Sequence, residues 1–181
     1  MDSISPQSGG RDGSALCADC GLCCDGTLFD HAKAEPEELS RLAEAGLETY
    51  EVEGKPRFRL PCARLSGTRC TIYAERFTIC RSYRCALLRD YLGGAVTLDE
   101  AREAVGTAKA LQAKVAARAP EAVKPIPRRA LTRQTAGWSS IADPAERVEA
   151  ARLHLDLVAL ERFLDGRFRR KEAPGAPAEG R

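Results

Sequence analysis

The sequence is short of the residues that build most enzyme sites and aromatic cores. Histidine occurs twice, tryptophan and methionine once each, and aromatic side chains fill 6% of the 181 positions. A core built from this chain must lean on Leu, Ala and Val. Charge of one sign is also missing: 28 Lys and Arg face 26 Asp and Glu, and a net +2 exerts no global pull on nucleic acid or acidic lipid. No apolar run approaches the roughly 18 residues that span a bilayer, so no membrane segment is expected. The opening MDSISPQSGGRDGSA has no basic flank followed by an apolar stretch, so it does not read as a secretory signal. A cytoplasmic protein is expected. No Ser-His-Asp set, phosphate-cradling glycine loop or HExxH helix is present, and no catalytic residue is assigned. What remains, at 44% hydrophobic and 30% charged, is a globular chain too short for a large multidomain enzyme.

Cysteine is the exception to this scarcity. All eight lie between Cys17 and Cys85, and none occurs in the last 96 residues. Packing of this kind means either paired disulfides or metal ligation. In the reducing compartment expected here, metal ligation is the reading preferred.

The style of the chain changes near Gly93-Gly94. Residues 1–14 read as a flexible lead, residues 15–96 as a turn-rich module, residues 97–172 as a helical extension and residues 173–181 as a tail. Within the module, 35–47 reads as a short helix with Pro36 at its start, Leu39, Leu42 and Ala43 on its apolar face and Gly46 at its end. Segments 50–60 and 62–73 read as hairpins turning at Gly54-Lys55-Pro56 and at Ser66-Gly67-Thr68. Thr97 and Glu100 form a capping box, followed by an apolar stripe that Pro120 stops. Residues 119–138, punctuated by proline and basic, read as an ordered surface loop. Asp143 to Glu146 is a second helix start. The helix after it carries two adjacent stripes: Val148, Ala151, Leu155 and Val158; and Leu153, Leu157, Leu160, Leu164 and Phe168. So wide a face must be covered by the rest of the chain or by a second copy. The fold class expected is α+β: a small metal-centred module of short antiparallel strands and helices, with the helical extension packed on it.

Cys17, Cys20, Cys23 and Cys24 form a CxxCxxCC run. Two residues between thiols let one turn direct both sulfurs at one metal, a spacing found in zinc sites and iron–sulfur proteins. Gly21 allows the positive backbone angle such a turn needs. Cys23 and Cys24 are adjacent, and in an extended chain their side chains point apart; they serve different centres, or one ligates while the other packs. Cys62 and Cys70 bracket the second hairpin. Cys80 and Cys85 stand five apart, off any common helical face, so either their segment bends or they serve different centres. Eight cysteines divide naturally into two tetrathiolate sites, and one or two cysteine-ligated centres are expected. Residues 1–96 hold 12 Lys and Arg against 14 Asp and Glu, a balance of −2. Arg64, Arg69, Arg76, Arg81 and Arg84 among the later cysteines are either thiolate-neutralising donors or a solvated surface.

The runs CADCGLCC, PCARLSGTRCTIY and ERFTICRSYRC together resemble the YkgJ-type cysteine-cluster family, over about Cys17 to Tyr91. That resemblance implies a bacterial, cytoplasmic, metal- or iron–sulfur-binding protein; it supplies no substrate. Where the family has Arg-Pro before a later Cys, this chain has Arg76-Phe77, which puts local backbone shape in question and removes no ligand. All eight cysteines are expected as metal ligands. The three-cysteine run favours an iron–sulfur cluster and the hairpin around Cys62 and Cys70 favours zinc; iron–sulfur is preferred, in a structural or accessory role. The alternatives are an iron–sulfur oxidoreductase or electron carrier, and a zinc-ribbon nucleic-acid binder. Partners expected are metal ions, and a protein or second copy through the C-terminal helix.

The remaining residues have bland readings. His31 is expected in a surface loop, His154 at a core edge, and Asp19 and Asp25 in turns. Tyr73, Phe77 and Tyr83 are expected as apolar cover for the centre, and Trp138 as a packing anchor. The basic run 167–171 is expected to be a solvated helix end rather than a nucleic-acid site.

Overall fold

The computed structural model describes residues 11–121 and 128–169, with only the backbone described for residues 128–130. The structure is of mixed helix and short antiparallel strands, with the C-terminal helix packed on the N-terminal part. Two apolar cores organise it, one helical and one formed around the strands.

The first cysteines lie on a helix. α1 (Ser14–Cys20) starts with Asp12 accepting the Ser14 N–H at 2.8 Å and ends at Gly21, whose φ of 73° lets its N–H reach back to the Cys17 carbonyl. That is the left-handed stop glycine supplies most cheaply. Residues Leu22–Leu28 then form a closed loop: the Leu28 N–H donates to the Leu22 carbonyl at 3.0 Å, and both leucines are buried in the helical core.

β1 (His31–Lys33), β2 (Thr49–Val52) and β3 (Lys55–Arg59) make an antiparallel sheet in the order β1-β3-β2. The hairpin between β2 and β3 is the one expected, but its turn is Glu53-Gly54, both at positive φ, a two-residue turn that matches strand twist. Lys55 and Pro56 belong to the strand. Pro56 lies beyond the last β1 pair, Lys33↔Arg57, so the central strand tolerates a residue with no donor. β1 was not foreseen in the sequence. A 3-10 turn at Pro36–Glu38 and α2 (Leu39–Glu44) occupy the expected helix. Only Leu42 of its apolar face is buried; Leu39 is 36% exposed. The second hairpin is β4 (Leu65–Ser66) with β5 (Arg69–Cys70). Leu42, Leu47, Phe58 and Phe77 fill the core beneath this region.

α3 (Thr78–Ser82) breaks at Tyr83, where the chain is extended, before α4 (Ala86–Leu92) begins. α5 (Leu98–Arg118) carries the full capping box of Thr97 and Glu100 and stops just before Pro120, since the residue ahead of proline disfavours the helical backbone. The surface loop expected over 119–138 is corrected in part: α6 (Arg128–Thr135) and a 3-10 turn at Ala136–Ser140 occupy its end, with Leu131 buried as the anchor. Residues 122–127 of that loop lie outside those described.

α7 (Pro144–Arg167) packs along α5, whose Ala101, Ala104, Val105 and Ala108 present small side chains to it. Of the two expected stripes on α7, one is fully covered and the other only in part, at Ala151 and Val158. Leu153, Leu157, Leu160, Leu164 and Phe168 are buried, whereas Val148 is 48% and Leu155 65% exposed. Each buried leucine contributes about 1.5–3 kcal/mol, and this row is the main tie between the C-terminal helix and the rest. Among the described residues, no helix is long and apolar enough to cross a membrane.

Candidate metal centre

The eight cysteines are free thiols, and all except Cys17 are half-buried. They gather into two groups of four. Cys23 has Cys85, Cys20 and Cys17 within electrostatic reach, and its chain neighbour Cys24 as well; Cys20 has Cys85 and Cys17, and Cys85 has Cys17. Cys24 instead has Cys62, Cys80 and Cys70, Cys80 has Cys62 and Cys70, and Cys62 has Cys70. The first group rests on the helical core, which Cys20, Cys23 and Cys85 touch; the second rests on the strand-side core, which Cys62 and Cys80 touch.

Local structure explains this partition. Cys17 and Cys20 are three apart on α1, and so share a helical face. The backbone after them is not extended: the N–H groups of both Cys24 and Asp25 donate to the Gly21 carbonyl, at 2.9 and 3.0 Å. Cys23 and Cys24 nevertheless part company, one to each group. The peptide between them is the seam of the two cores. Cys85 caps α4, its sulfur accepting the Leu88 N–H at 3.4 Å, while Cys80 lies on α3 on the far side of the break at Tyr83. Of the two alternatives the sequence offered for this pair, the bend is present, at Tyr83. Cys62 is tied to the seam directly, its N–H donating to the Cys24 carbonyl at 2.8 Å.

Burial raises Cys17, Cys20, Cys23, Cys24, Cys62, Cys80 and Cys85, and at all of these except Cys17 neighbouring sulfurs raise them further. Cys20 and Cys24 are pushed up to about 12, Cys80 to about 11, and Cys23 stands well above its ordinary value; Cys17, Cys62 and Cys85 are raised as well. Burial disfavours the thiolate, and adjacent thiolates repel. Cations oppose this locally: Arg84 and Arg76 at Cys17, Lys109 at Cys20, Arg89 at Cys85, Arg64 at Cys62 and Arg76 at Cys80. Arg64, Arg76 and Arg84 thus lie near the thiols, while their guanidinium groups donate to backbone carbonyls, Arg64 to Ala45, Arg76 to Tyr73 and Arg84 to Tyr83. Arg81 likewise donates to the Arg76 carbonyl.

As arranged, and among the described residues, no group of three or more His, Cys, Asp or Glu side chains stands ready to hold a metal ion. The thiols are gathered but not closed. The donor sets are nevertheless all sulfur, four to a group, with cations beside them, and that chemistry fits zinc or iron–sulfur rather than hard cations.

A family model matches residues 16–110, just over half of the chain. The chain belongs to the CxxCxxCC family. That family is described as a candidate zinc- or iron-chelating domain. The CxxCxxCC match contains all eight cysteines and ends inside α5, leaving α6 and α7 beyond it. No curated protein and no solved structure matches the chain.

Of the other expected residues, both histidines, Asp19 and Tyr73 have partners other than the thiols, whereas Asp25, Tyr83 and Phe77 stand beside them. His31 meets Asp30 at 3.0 Å and stacks edge-on to Tyr50; His154 shares a hydrogen bond with Thr135 at 3.0 Å. Asp19 lies 3.9 Å from Arg102. Asp25 makes the turn expected of it, accepting the Thr27 N–H at 2.8 Å. Tyr83 does cover the first group, edge-on to Phe29 with ring centres 5.5 Å apart, and Phe77 is buried beneath the second. Tyr73 does not: it is 43% exposed under the Arg76 guanidinium. Trp138 is half-buried on the turn that packs against α7. Arg169, placed by the sequence in a solvated helix end, is only 6% exposed and paired to Glu161 at 2.8 Å. Its contact with Thr27, and that of Gln112 with Thr27, have no local mark in the sequence, since each is made across 85 or more positions.

Proposed function

We propose that the protein holds two cysteine-ligated centres, one on Cys17, Cys20, Cys23 and Cys85 and the other on Cys24, Cys62, Cys70 and Cys80. The observation that carries this reading is the division of Cys23 and Cys24 between two thiol groups, each resting on its own core. When bound, an iron–sulfur cluster supplies one-electron redox capacity and zinc supplies a cross-link. The chain's own part is to bring distant segments together, to exclude water from the sulfurs and to neutralise thiolate charge through Arg64, Arg76, Arg84, Arg89 and Lys109. We favour iron–sulfur on the spacing of the first three cysteines, with zinc as the competing occupant. The role is structural or accessory, in a bacterial cytoplasmic protein. The exposed Val148 and Leu155 on α7 support docking to another chain or a second copy.

A second reading, an electron carrier, is favoured by Cys17. It is the exposed thiol of its group and has Arg76 and Arg84 beside it, which would give a bound cluster an edge toward solvent. Anaerobic isolation with metal analysis, acid-labile sulfide and visible spectra separates these readings. Reversible bleaching by a reductant supports the carrier, and colourless zinc protein removes it.

A further inference from the structure

The end of α7 grips both halves of the first thiol group, although it lies outside the family match. On one side, the Phe168 carbonyl accepts the Ala86 N–H at 2.9 Å, immediately after Cys85. On the other, the Arg169 guanidinium donates to the carbonyls of Leu28 at 2.8 Å and Thr27 at 3.0 Å, which close the loop carrying Cys23 and Cys24. The remaining faces of that loop are also held. Gln112 on α5 donates to Asp25 at 2.9 Å and to Thr27 at 2.7 Å. Thr27 itself is 1% exposed. Two consecutive residues just past the end of α7 therefore span a gap that the sequence opens to 62 positions between Cys23 and Cys85.

We propose that Arg169 is a positioning residue for the centre on Cys17, Cys20, Cys23 and Cys85: its guanidinium, with the adjacent Phe168 carbonyl, sets the approach of the Cys23 loop to Cys85 and so sets how tightly that centre is held. This rests on the two-centre reading above. The guanidinium is suited to the task. It donates in a planar fork to two carbonyls while Glu161 and Asp165, at 2.8 and 2.9 Å, neutralise it. A lysine would keep the ion pair but could not span both carbonyls. Outer contacts of this kind are worth about 10- to 100-fold in metal affinity.

The test uses the full chain as isolated without oxygen. Metal content, and its rate of loss to a chelator, are compared for wild type, Arg169→Lys, Gln112→Leu and a control at an exposed position of α5, Thr107→Ser. A second measurement, the reaction rate of thiols in the metal-free protein, reads loop position without any metal. Arg169→Lys and Gln112→Leu should release one of the two centres about tenfold faster, retain the other, and expose Cys23 to faster labelling. Thr107→Ser should match wild type in all three. Equal release and equal labelling in Arg169→Lys and wild type would overturn the proposal while leaving the two-centre reading intact. A wild type that holds no metal would instead overturn the two-centre reading itself. Should Arg169→Lys fail to fold, Gln112→Leu decides by the same two measurements.

Discussion

Cys62 donates its backbone N–H to the carbonyl of Cys24 at 2.8 Å, which ties the approach to the second hairpin to the turn holding one thiol of each group. That bond fixes the two groups as neighbours along a single backbone stretch, with Cys23 packed on the helical core and Cys24 beside Cys62, Cys70 and Cys80.

If the groups are separate centres, single substitutions should remove them one at a time. Cys20→Ser is expected to empty the first and leave the second, and Cys70→Ser to do the reverse. Elemental analysis of each variant checks this. A single substitution that empties both, or neither, speaks against the assignment.

Gly21→Ala and Gly46→Ala form a matched pair. Both glycines have positive φ, 73° and 67°, but a Cβ at Gly21 would stand 3.1 Å from the Thr68 Cα, whereas nothing lies within 4 Å at Gly46. Gly46→Ala should cost only the left-handed backbone strain of about 1–2 kcal/mol. Gly21→Ala should cost more and should also weaken metal retention, because it pushes the second hairpin away from the first cysteine run. Denaturant titration of the two variants measures the difference.

On α7, burial separates two leucines that are two positions apart. Leu157 is fully buried and Leu155 is 65% exposed. Leu157→Ala should cost about 2–5 kcal/mol, while Leu155→Ser should stay within about 0.5 kcal/mol of wild type, as read by thermal or chemical unfolding.

The capping box of α5 gives a pH signature. The N–H and hydroxyl of Thr97 donate to the Glu100 carboxylate at 2.7 and 2.8 Å and hold it below its ordinary 4.5. Its contribution is present above that value and is lost as pH falls through the lower, folded-state value. The advantage of wild type over Glu100→Gln should therefore shrink as acid is added below 4.5. Thr97→Ala should cost about 1 kcal/mol at neutral pH.

Much of this arrangement was legible locally. The hairpins announce themselves through Gly54 and Gly67, α5 through Thr97, Glu100 and Pro120, and the division of the cysteines through the adjacency of Cys23 and Cys24. What escaped was set by tertiary contact. CADC reads as a turn, yet Leu16, 3% exposed in the helical core, holds it as α1. β1 is three residues long and exists only as a partner of β3. α6 sits in a basic, proline-punctuated stretch and is fixed by Leu131. The two stripes of α7 look alike in sequence, and only the position of α5 decides which is buried. The reach of Arg169 back to Thr27 has no sequence signal at all.

The most direct measurement is a joint count of bound ions and reactive thiols on freshly isolated protein kept from oxygen. The account predicts two occupied centres, eight cysteines slow to label, and loss of amide protection through residues 14–92 when a chelator strips the ions. Ion-free protein whose thiols all react at once, with that segment as well protected as before, would contradict it.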